Sequence, residues 1–159
     1  MINATAIGQD LINLIADEWI AQGHNMTGAF VDSMTAESVA ENDSLTINIY
    51  DNTQRGYGVI LDNGVTADRI PFSPGSGNKT SKYIAGLVLY VKARMGLPDK
   101  EALSVAFAIA YKHKAEGMPT QASSRFSKTG NRTRFVNDAT QQEAIDAIIQ
   151  NYVNDAVIL

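Results

Sequence analysis

Cysteine is absent from the 159 residues. That excludes disulfides, zinc–thiolate centres and a thiol nucleophile. Histidine occurs twice, at His24 and His113, far apart and without the carboxylate spacing of a metal site. No apolar run approaches the roughly 18 residues of a membrane-spanning helix. The amino terminus, MINATAIGQDLINLIADEWIAQG, lacks a basic start and places Asp10, Asp17 and Glu18 inside its apolar pattern, which a secretory signal does not tolerate. The expectation is a soluble protein with no membrane partner. An excess of positive charge is missing too: the net charge is -4 and the pI about 5.1, which argues against a protein that coats nucleic acid with its whole surface. What is present, 45% hydrophobic and 19% charged residues, suffices for one domain, or one domain plus an arm, with a sizeable core.

Ile7, Leu11, Ile15 and Trp19 recur every four residues, Ile12, Leu14 and Ile20 widen the stripe, and Gly23 stands where a left-handed stop belongs. This predicts an N-terminal amphipathic helix. From Gly28 to Asp62 the period changes to two, with Phe30, Asp32 and Met34, then Leu45, Ile47 and Ile49, then Tyr57 to Leu61, separated by polar turns. That pattern predicts an antiparallel sheet of three to four strands. Residues 63–79 carry two prolines and three glycines and predict a long loop, a length that compact domains keep mainly for binding. Helices follow over Tyr83 to Gly96 and Pro98 to Gly117. Residues 118–136 lack a clean helical period and, with Thr129-Gly130-Asn131 in the middle, predict an extended hairpin or a flexible basic arm; a C-terminal helix is expected over 138–157. Strands clustered in one stretch with helices outside it favour a single α+β domain, its sheet packed against the helices.

Charge segregates along this order. Residues 1–78 hold ten acidic and two basic residues, 79–134 three and eleven, and 135–159 four and none. Such asymmetry fits a basic face for nucleic acid, complementary faces that meet between copies, or blocks that fold against each other within one chain. In the arm, Arg125, Lys128, Arg132 and Arg134 lie near Phe126 and Phe135. This combination suits a sequence-tolerant nucleic-acid contact or an anchor in a neighbouring subunit. With Arg69, Pro71 and Phe72 of the long loop, these residues form the expected interface set.

Chemistry-bearing motifs are weak. Gly75 to Thr80 resembles a phosphate loop, but Asn78 stands where the glycine before the lysine is required. His113, between Lys112 and Lys114, reads as a surface residue compatible with a helix end. No serine stands in a nucleophile elbow. Asp62 and Asp68 are a possible carboxylate pair, though turn carboxylates are usually turn formers. The chain therefore reads as non-enzymatic, with no metal and no cofactor.

Two stretches resemble the neck proteins of tailed bacteriophages, the head-tail connector and tail-completion group. Asn25 to Met34, with Thr27-Gly28-Ala29-Phe30 and Ser33, is similar to that group's Thr-Gly entry into a first strand. Tyr57-Gly58-Val59-Ile60-Leu61-Asp62-Asn63-Gly64 is similar to a later Tyr-containing strand, with Asp62 where Glu is usual. Ala102 to Gly117 followed by Phe126-Ser127-Lys128-Thr129-Gly130 also looks like phage relatives. The resemblance implies a structural virion protein, assembled in the bacterial host cytoplasm and located in the virion neck or upper tail. It implies a ring of six or twelve copies that joins portal, adaptor and tail proteins and forms part of the DNA passage, with transient contact to packaged DNA. The alternatives are a small nucleic-acid-binding module using residues 79–134, which would release DNA as salt rises, and an enzyme with a site in the loop from Asp62 to Asn78.

Overall fold

The computed structural model describes residues 3–41, 44–53, 57–75 and 81–157. The chain forms two compact units, Met1–Asn63 with Phe126–Leu159, and Gly64–Arg125. They subdivide the single domain expected. In chain order the elements are α1 (Ala4–Ala21), α2 (Ala29–Ser33), β1 (Met34–Glu41), β2 (Ser44–Asp51) and α3 (Tyr57–Asn63), then a 3-10 turn at Ala67–Arg69. There follow α4 (Lys82–Met95), α5 (Asp99–Glu116), a 3-10 segment Gln121–Phe126, α6 (Phe135–Ala139) and α7 (Gln142–Val157). The fold is mixed helix and sheet, with a helix near each end.

In the first unit, the Asn3 side chain accepts a hydrogen bond from the Ala6 amide and starts α1; Gly23, at φ 76°, follows its end. Ile12, Ile15, Ala16 and Trp19 of α1 form the core with Phe30, Met34, Phe135 and Ala139. The hairpin β1–β2 pairs Met34 with Asp51 through Glu41 with Ser44. Its inner face lies on α1 where Gly8 permits close approach, since a β-carbon there would meet that of Ala36 at 2.8 Å. In the second unit α4 and α5 pack together, with Ile70, Phe72, Ile84 and Ala110 buried at one core. Alanines at 102, 106 and 110 are fully buried and keep that side of α5 flat. Ser81 caps α4 through the Ile84 amide and Gly96, at φ 65°, ends it.

Four expectations differ from the structure. The sheet has two strands among the described residues, where three to four were expected. Phe30 to Ser33 belongs to the short helix α2: Phe30 and Met34 are four apart, so alternation also satisfied a helical turn, and Phe30 stacks on Trp19 at 4.0 Å. Tyr57 to Leu61 is helical because its free amides find side-chain acceptors. The Asp51 carboxylate accepts from Gly58 at 2.8 Å and the Thr53 hydroxyl from Tyr57 at 3.0 Å. Finally, the C-terminal helix divides into α6 and α7, with Thr140 between them outside helical geometry. Residues 76–80, the end of the expected loop and of the phosphate-loop stretch, lie outside the described residues.

Candidate functional site

The expected arm is folded onto its own chain. Met118 exchanges backbone hydrogen bonds with Val65, both at 2.7 Å, within the second unit. Beyond Phe126 the chain closes the carboxyl end of α1, whose last carbonyls lack helical partners. The Lys128 amide donates to the Ala21 carbonyl at 2.8 Å, and Arg132 Nη1 donates to the Gln22 carbonyl at 2.7 Å. Gln22, fully buried, donates through Nε2 to the Thr133 carbonyl, to Glu18 and to Asp138. Asp62 completes the latch: its carbonyl accepts from the Arg134 amide and its carboxylate from the Val136 amide. Phe135 is 1% exposed and stands edge-on to Trp19 at 4.9 Å.

The expected interface set therefore divides. Phe135 and Phe72 are buried in the two cores, because each aromatic finds aromatic neighbours there: Trp19 and Phe30 for Phe135, Phe107 and Tyr111 for Phe72. Arg132 holds α1 in its own chain. Phe126 is 56% exposed, and Arg69, Pro71, Arg125, Lys128 and Arg134 are exposed. The long loop is pinned in part, since Lys114 Nζ donates to the Asp68 and Ile70 carbonyls and Ile70 is buried.

Sequence reasoning missed a concavity of about 430 Å³ in the first unit, lined by Trp19, His24, Met26, Phe30, Thr53 and Tyr57. No spacing signals it, because its wall, the turn from His24 to Gly28, meets Trp19, Phe30 and Tyr57 only in the folded chain. His24 bonds the Arg132 backbone, while its Nε2 is buried without a hydrogen-bond partner. Burial, and then the Arg132 charge, push the His24 pKa down to about 4, so the ring is neutral at pH 7. The concavity offers an aromatic floor and one imidazole. His113 corrects the surface expectation: its Nδ1 lies 2.7 Å from the Tyr83 hydroxyl, and burial lowers its pKa while raising that of Tyr83 to about 12. Asp62 and Asp68 fall in different units, each engaged locally. Among the described residues no group of three metal-ligating side chains occurs, and no helix is long and apolar enough to cross a membrane.

The hairpin is the other notable feature. Only Met34 on its two strands is buried; Val39, Leu45 and Tyr50 are 46%, 41% and 43% exposed. Charge also divides by unit: Met1–Asn63 with Phe126–Leu159 holds thirteen acidic and four basic residues, and Gly64–Arg125 four and nine. No family model, curated protein or solved structure matches the chain.

Proposed function

We propose that this protein is a non-enzymatic structural subunit of a tailed-phage virion, forming a ring in the neck or upper tail. One observation carries the assembly part: an eight-residue-per-strand hairpin with both edges unpaired among the described residues and most of its side chains exposed. Open strand edges template pairing with another chain, so a ribbon of this length suits an assembly. The resemblance of Asn25 to Met34 and Tyr57 to Gly64 to neck proteins supplies the phage context, as sequence likeness, since these stretches are largely turn and helix here where strands were expected. Six or twelve copies would join portal, adaptor and tail proteins around the passing DNA. The test is native mass and electron microscopy of the purified protein, alone and with portal and tail proteins. A closed ring, or a monomer that enters a ring only on the portal, is the expected outcome; a monomer that binds neither partner removes the proposal.

The surplus of nine basic over four acidic residues in Gly64–Arg125 favours a second function, nucleic-acid binding. Several of those cations are already engaged: Lys92 with Asp99, Lys112 with Glu116, and Lys114 with two carbonyls. Retention of DNA that collapses between low and moderate salt would establish it.

A further inference from the structure

We infer that the β2 edge of the hairpin docks a second copy of this chain, the two β2 strands pairing antiparallel about a two-fold axis at Ile47. The two edges are not protected alike. β1 carries Glu37 and Glu41 among alanines and a serine, and charge on an edge strand opposes the addition of another strand. From Ser44 to Tyr50, β2 reads Ser-Leu-Thr-Ile-Asn-Ile-Tyr, with no charge, no proline and no glycine. Four of its seven residues, Thr46, Ile47, Ile49 and Tyr50, are of the types that strands favour. Such a segment on an open edge pairs readily with a copy of itself. Asp51, where β2 ends, has its carboxylate held by the Thr53 and Gly58 amides.

The register shows which backbone groups that edge offers. The Asn52 amide donates to the Ser33 carbonyl at 3.4 Å, and pairing runs from Met34 with Asp51 to Glu41 with Ser44 without a bulge. Hydrogen-bonded pairs alternate from Ser33 and Asn52 onward, so Tyr50, Asn48 and Thr46 bond within the hairpin while Ile49, Ile47 and Leu45 turn their backbone groups outward. A two-fold at Ile47 sets Leu45 against Ile49 of the second copy and Ile47 against its counterpart. Outward groups then meet outward groups along the strand. The inner face is unfinished at the same edge: α1 packs mainly on β1, where Gly8 meets Ala36, while Leu45 is 41% exposed and Ile47 and Ile49 are half-buried. In the pair, these three side chains of both copies lie side by side on one face and cover one another. With strands about 4.8 Å apart, the two β1 strands stand about 14 Å apart, wider than the roughly 8–10 Å between packed helices, so both α1 helices fit above the sheet.

The same observations disfavour the rival pairings. Two β1 edges would gather Glu37 and Glu41 of both copies on one face and would meet through Ala36, Ser38 and Ala40. β2 on the β1 edge of another copy would set Glu37 and Glu41 beside a strand that has no cation to receive them. A β2 strand, by contrast, supplies to its own copy the uncharged row of large aliphatic residues that the edge lacks, which is the self-complementarity of an isologous contact. A two-fold pair is closed. It therefore goes beyond the proposed ring and does not rest on it: the pair shields β2 in free copies and leaves the remaining surface for assembly.

The absence of native cysteine makes the register testable. Thr46 and Asn48, both exposed on the outer face, stand opposite each other across the two-fold in a non-hydrogen-bonded pair, with α-carbons about 4.5 Å apart and within disulfide reach. Thr46→Cys and Asn48→Cys proteins, mixed under mild oxidation, should give the mixed disulfide several-fold in excess of either like pair. In analytical ultracentrifugation the wild type should be a dimer. Because each copy brings its acidic unit to the contact, added salt should tighten that dimer. Thr46→Lys with Asn48→Lys should weaken it more than tenfold, and Val39→Lys on β1 should leave it unchanged. A dimer that ignores the two lysines on β2, or whose mixed disulfide does not exceed the like pairs, overturns this edge. A monomer at every concentration that still enters a ring on the portal overturns the pair and leaves the ring; a dimer with the expected cross-link that never joins a ring leaves the pair and removes the ring. A closed ring in which Thr46→Cys cross-links to Val39→Cys replaces the two-fold with a head-to-tail contact and overturns the pair as well.

Discussion

Gly58 in α3 lies beneath Phe30, where a β-carbon would stand 2.4 Å from Phe30 Cε2 and 2.9 Å from Asp51 Oδ2. Alanine gains about 1 kcal/mol over glycine in helix propensity. Here the clash wins, because Phe30 is stacked on Trp19 and cannot yield. Gly58→Ala should destabilise the protein by about 1–3 kcal/mol, read from urea unfolding midpoints. His24 gives a pH-dependent counterpart. Its pKa falls from 6.5 to about 4 on folding, mainly through burial, so between those values the unfolded chain binds the extra proton. Stability from this group is complete above about pH 6.5 and is lost progressively as pH falls toward 4. His113 shifts in the same direction, also through burial. Measured from pH 8 to 4, the stability of His24→Asn should fall less steeply than that of the wild type, leaving the His113 contribution.

At the scale of elements, the segment from Phe126 to Val136 is a latch on the end of α1. Phe135→Ala empties the space between Trp19 and Phe30 and should cost about 3–5 kcal/mol. Phe126→Ala, at an exposed side chain, should cost under about 1 kcal/mol. Equal losses in a urea titration would refute the latch. Helices α1, α4 and α5 were legible because period and stop signals agree within each: Trp19 repeats the Ile15 face, Gly96 ends the apolar pattern of α4, and Gly117 follows α5. Helix α3 was not, since Tyr57-Gly58-Val59-Ile60-Leu61 is an apolar run that suits either a strand or a helix. The latch was misread for a related reason. Its turns lack a period, and a basic aromatic segment without one looks free until its partners are in place.

At the scale of the whole molecule, the two cores share no buried residue among the described residues: Ile15 with Trp19 and Phe135 in one, Ile84 with Phe72 and Ala110 in the other. Ile15→Val and Ile84→Val should each cost about 1 kcal/mol, and the double variant should lose their sum within about 0.5 kcal/mol. A larger deviation would show that the cores are coupled. Strand β2 and the amphipathic pattern of α4 could be read from the sequence. The exposure of Val39 and Leu45 could not, because exposure depends on what the remaining elements leave uncovered. The sequence by itself determined the elements whose signals lie within a few residues of one another: the helices α1, α4 and α5, their glycine stops, and the segregation of charge. Tertiary structure alone decided that Asp51 and Thr53 turn the Tyr57 segment into a helix and that Gln22 and Asp62 capture the arm. It also decided that Phe72 and Phe135 go inside. The physical reason is that a free backbone amide or an aromatic face is satisfied by whatever partner the folded chain brings near, and that partner has no fixed spacing in sequence.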